Sequence, residues 1–76
     1  MKYIVCDTDK ARGAGISTAG KLGTKDQKKV MLNESSVMNC RMLEGTFEER
    51  TEALDGEVLT DAEAQSHVRR EKMKIM

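Results

Sequence analysis

Three short apolar runs limit the folds open to this chain more than any other feature: "KYIVC" at 2–6, "KVMLN" at 29–33 and "EVLT" at 57–60. The first is β-branched and aromatic without alternation, as expected of a buried strand, and the other two are shorter strand candidates. Between the first and second lies a stretch, 13–27, that holds Gly13, Gly15, Gly20 and Gly23 among Ser17, Thr18, Thr24 and several charges. It has little apolar surface to bury and is predicted to be a mobile, irregular loop.

The chain has no proline, so the remaining punctuation comes from helix caps. Thr8 to Arg12 fits one helical turn before Gly13. Asn33 can cap a helix over Glu34–Leu43, with Val37, Met38 and Met42 on adjoining faces and Gly45 to stop it. "TFEE" is a capping box in which Thr46 and Glu49 satisfy each other's amides. That helix is predicted to run to about Asp55, with Phe47 and Leu54 inward and Gly56 as the left-handed stop. "TDAE" repeats the device with Thr60 and Glu63, opening a helix through Met73 or beyond, with Leu59 able to staple onto Ala64. Ala64, Val68 and Ile75 then keep close to one stripe.

Strands separated by helical segments imply an α/β fold: a small three-stranded, mainly parallel sheet with helices packed on it and right-handed connections. The alternative is α+β, with the first two strands as an antiparallel hairpin and the long loop as its arm. Residues 1–76 are expected to form a single small domain, with 69–76 as a frayed basic tail. A chain of this length buries only about 60% of its extended surface. The net stability of its core is therefore about 3–5 kcal/mol.

Cys6 and Cys40 are the two cysteines. The opening "MKYIVCDTDK" has too short an apolar run for a signal-peptide core, and no run approaches the roughly 20 residues needed to span a bilayer. A cytoplasmic chain with reduced thiols and no membrane association is expected. No basic residue or histidine is placed to activate either thiol.

Formal charge balances at 13 against 13, so no global field recruits nucleic acid. The distribution is uneven. Residues 8–29 carry six basic and two acidic side chains, 34–63 nine acidic and two basic, and 64–76 four basic and one acidic. Such poles can attract a neighbour or bind phosphate. Tyr3 and Phe47 are the only aromatics, and both fall where a core needs them, which leaves none for base stacking.

Several motifs offer chemistry and fall short of it. "GISTAGKL", 15–22, matches the start of a phosphate-binding loop, but it lies well past the first strand. Leu22 replaces the magnesium-binding Ser or Thr, and Gly23 and Thr24 discourage the helix that should follow. "YIVCDTDK" resembles the nucleophile motif of haloacid-dehalogenase-type phosphatases. The resemblance implies Asp7 as nucleophile, Asp9 as acid/base and a magnesium ion between them. It covers eight residues, and Ala11 departs from the usual Thr or Val; helix capping by Asp7 or Thr8 is the competing account. Glu63, His67 and Glu71 share one helix face, which suits surface ion pairing better than a metal. "VRREKMKIM" is a short basic amphipathic terminus, and the six methionines fit gap-filling in a small core.

No family emerges, and no catalytic, nucleotide-binding, metal or cofactor site is expected. The function predicted is that of a small interaction or regulatory module, not an enzyme, that binds a protein partner or forms a homodimer. Nucleic-acid binding ranks second. The candidate surface is Lys21, Lys25, Lys28, Lys29, Arg69, Arg70, Lys72 and Lys74.

Overall fold

A computed structural model describes residues 2–70 and 72–76. In chain order the elements are β1 (Tyr3–Asp7), α1 (Thr8–Gly13), β2 (Leu22–Thr24), β3 (Lys29–Asn33), α2 (Glu34–Met38), α3 (Phe47–Ala53), β4 (Glu57–Leu59), α4 (Asp61–Arg69) and β5 (Met73–Ile75). The strands form one sheet in the order β4-β1-β3-β2-β5, and every neighbouring pair is antiparallel.

This corrects the expected three-stranded, mainly parallel sheet. The three anticipated strands exist as β1, β3 and β4, and two more join them. β2 lies within the glycine-rich stretch, and β5 within the basic terminus. The inferred helical crossovers also exist, since β3 and β4 both run opposite to β1 and so share a direction. What sequence did not show is that β1 is inserted between them. β4 and β5, joined by α4, likewise share a direction but lie at opposite edges. Antiparallel neighbours pair slightly better than parallel ones, and the tight β2–β3 turn supplies one such pair directly.

Alternation along β1 divides the sheet into two faces. Ile4 and Cys6 pair with Leu32 and Val30 on one face, where Ala11 of α1, Val37 of α2, Phe47 of α3 and Leu54 complete the main core. Val5 pairs with Met31, and Tyr3 with Leu59, on the other face. There Ala64 of α4, Leu59 and Met73 close a smaller core.

Three caps sit as their spacing predicts. Asn33 Oδ1 accepts from the Ser36 amide at 2.8 Å, and both capping boxes form, Thr46 with Glu49 and Thr60 with Glu63. The helix ends differ. α2 stops at Met38 instead of Leu43, and α4 stops at Arg69, which frees the chain to form β5. Arg50 accounts for the first difference. Its Nη1 lies 3.3, 3.1 and 3.0 Å from the carbonyls of Val37, Met38 and Cys40, and its Nε donates to Gly45 O at 2.9 Å. The carbonyls that a helix end leaves unpaired are thus met by a side chain from α3. After α3, Asp55 takes the left-handed conformation (φ 53°) expected of Gly56. Gly56 is needed for space: a Cβ there would lie 3.0 Å from Cys6 Cβ and 3.1 Å from Thr51.

Candidate interaction surfaces

α4 leaves β4 beside Leu59, at the Tyr3 end of the sheet, and delivers the chain to Met73, opposite Thr24 at the other end. A nine-residue helix cannot cover the five-stranded face it crosses on this diagonal. One uncovered corner is a groove of about 650 Å³ floored by Tyr3, Leu22, Met31 and Ala64 and rimmed by Asp61, Gln65, Val68 and Arg69. It runs toward Ile75, which pairs with Leu22. Val68 is 47% exposed and Ile75 74% exposed. This apolar corner adjoins β5, a strand with no neighbour on its outer side among the described residues.

The eight basic candidates do not form one surface. The β2–β3 turn stands beside the start of β5, so Lys25 shares a cleft with Arg70 and Lys72 and a second with Lys74. Lys29 and Lys72 line a third cleft on the α4 face, and Lys28 sits in the same turn. Lys21 is apart, at the other end of β2, in a cleft with Ser17, Ser36, Asn39 and Arg41. Arg69 belongs to the apolar groove. Asp26 is the acid in the turn. The Thr24 hydroxyl, which donates to it at 2.6 Å, and the Lys28 amide hold its carboxyl below the usual carboxylate range. None of the six clustered cations is ion-paired with a described carboxylate. The Lys10–Asp55 pair, at 2.9 Å, stands at the same end of the sheet; its hydrogen bond raises the Lys10 pKa and lowers that of Asp55, and the charge of nearby Lys29 lowers Asp55 further.

The tempting motifs resolve into structural roles. Lys21 of "GISTAGKL" leads into strand β2 and not into the helix that a phosphate-binding loop opens. Asp7 caps α1, accepting from the Lys10 amide at 3.0 Å, and Asp9 is exposed. Glu63 is held in its capping box, and Glu71 lies outside the described residues. No group of three or more His, Cys, Asp or Glu side chains that could hold a metal occurs among the described residues. Burial, reinforced by Asp7, pushes the Cys6 thiol up to about 11. It is therefore a poor nucleophile near neutrality. Cys40, expected mid-helix, follows α2 and donates its thiol to Ala14 O. No helix among the described residues is long and apolar enough to cross a membrane.

Sequence reading singled out Val68 and Ile75 but missed Tyr3, Leu22 and Met31 as the floor between them. The only available signal was Leu22, an apolar residue isolated in a polar loop. No family model, curated protein or solved structure matches the chain.

Proposed function

We propose that the protein is a non-enzymatic interaction module that self-associates through the open β5 edge and the apolar corner beside it. The observation that carries this reading is the continuity of Leu22, Val68 and Ile75 with an unpaired strand edge. Exposed edges template pairing with another chain, and contiguous apolar surface favours being covered. A formal charge of zero removes the repulsion that keeps charged proteins apart. Two free thiols suit a reducing, cytoplasmic setting.

A second reading has its own support: Lys25, Lys28, Lys29, Arg70, Lys72 and Lys74 converge from two distant segments on one end of the sheet. That end suits a phosphate backbone. Sedimentation across a salt series, with and without a short nucleic-acid duplex, separates the two. A dimer that persists at high salt is expected, because exposed charge pairs contribute only about 0–1 kcal/mol each. A monomer at every concentration overturns self-association. If that monomer binds duplex with an affinity falling steeply as salt rises, the nucleic-acid reading replaces it.

A further inference from the structure

The β5 ladder determines which backbone groups a partner meets. The Met76 amide donates to Lys21 O at 2.9 Å, and Leu22, Gly23 and Thr24 stand opposite Ile75, Lys74 and Met73. Antiparallel ladders alternate bonded and non-bonded pairs. Met76 and Lys74 therefore bond to β2, while Met73 and Ile75 turn their N–H and C=O groups toward the open edge. Ile75 also points its side chain to the face that carries the apolar corner.

We propose that two copies join β5 to β5 about a two-fold axis at Ile75, so that each Ile75 exchanges both backbone hydrogen bonds with its counterpart and the two sheets become one. This rests on the self-association reading above and assigns its register. A symmetric antiparallel pair must have a residue opposite itself, so the choice lies among neighbouring registers. Centred on Ile75, the two isoleucines meet on one face, the Leu22 and Val68 corners merge around them, and Lys74 stands opposite Met76. Centred on Lys74, two further backbone bonds would form. Lys74 would then face Lys74 at the closer, non-bonded spacing, where like charges destabilise. Ile75 would meet Met73, already covered in its own monomer. The Ile75 register also slides the two basic turns two residues further apart along the strands. Charge and apolar burial select it together.

Two measurements test the register. In a Cys40→Ser background, Ile75→Cys and Lys74→Cys proteins are oxidised and the cross-linked dimer is followed. The Ile75→Cys chain is expected to form disulfide dimer at least tenfold faster. Equal or faster cross-linking by Lys74→Cys overturns the register while leaving self-association standing. Ile75→Pro removes the outward amide together with the exposed Ile75 side chain, the two contributions the proposed pairing needs, and keeps the bonds of Lys74 and Met76 to β2. It should sediment as a monomer, with a wild-type circular dichroism spectrum, at concentrations where the parent is a dimer. An Ile75→Pro chain that still forms the parent's dimer also overturns the proposal, whereas a parent that never dimerises removes the reading beneath it.

Discussion

Thr8 is 1% exposed, and its Oγ1 has no hydrogen-bond partner among the described residues. Leaving a hydroxyl buried and unsatisfied costs about 1–3 kcal/mol. Valine keeps the shape and removes the polar atom, so Thr8→Val should stabilise the fold by about 1 kcal/mol. For a domain of this size that is a rise of about 4–8 °C in Tm. Thr51 provides the control. It is equally buried, but its hydroxyl donates to Phe47 O at 2.7 Å, so Thr51→Val should give no such gain. Thermal melts of both variants decide the matter, and a destabilised Thr8→Val protein would mean that the hydroxyl has a role the packing conceals. None of this was legible in sequence, because Thr8 looked like one of two cap candidates. Asp7 took the cap, and Thr8 followed the chain inward.

At the scale of elements, the two capping boxes make different demands. Thr46 opens α3, which places Phe47 at the main core, so Thr46→Ala should lower global stability by about 1 kcal/mol. Thr60 opens α4, which buries only Ala64. Thr60→Ala should cost about as much locally, with part of the loss appearing as fraying of α4. Urea unfolding followed by circular dichroism compares them, and two neutral substitutions would contradict the role of the boxes. These helix starts were readable because a cap is local: donor and acceptor lie three residues apart. The helix ends were not. α2 is closed by Arg50, an apparent surface cation on another helix, and Asp55 rather than Gly56 takes the left-handed turn. β2 and β5 were invisible for a related reason. Each has three residues, with Gly23 and Lys74 at the centres, and each is a strand only because a partner lies beside it. Strand direction is also non-local. "KYIVC" announces a buried strand but cannot say that β3 and β4 will enclose it. The candidate surface divides the same way. Sequence named Val68 and Ile75 from their stripe, and only the fold supplied the open edge and the groove floor.

The whole molecule is lopsided, and its dynamics should follow. Among the described residues, ten buried side chains make the core between the sheet and α1, α2 and α3, while four make the core under α4. Regions with few buried contacts open at lower free energy than the global transition. Amides bonded within the β1–β3 ladder should therefore exchange with solvent only through global unfolding. Those of α4, and the β5 amides that reach β2, should exchange through a cheaper opening that releases the helix and its strand together. Ile75 is the diagnostic position. Its amide points away from β2, so in the monomer it should exchange fast while the adjacent Lys74 amide is protected. Pairing with a second copy buries that same amide in a hydrogen bond. Raising protein concentration should then slow Ile75 exchange strongly, slow the α4 amides to a lesser degree, and leave the β1–β3 amides unchanged. Hydrogen exchange resolved by residue and repeated over a concentration series reads all three. Equal protection of α4 and the β1–β3 ladder would contradict the uneven core. An Ile75 amide that exchanges at one rate at every concentration would show that the open edge stays open.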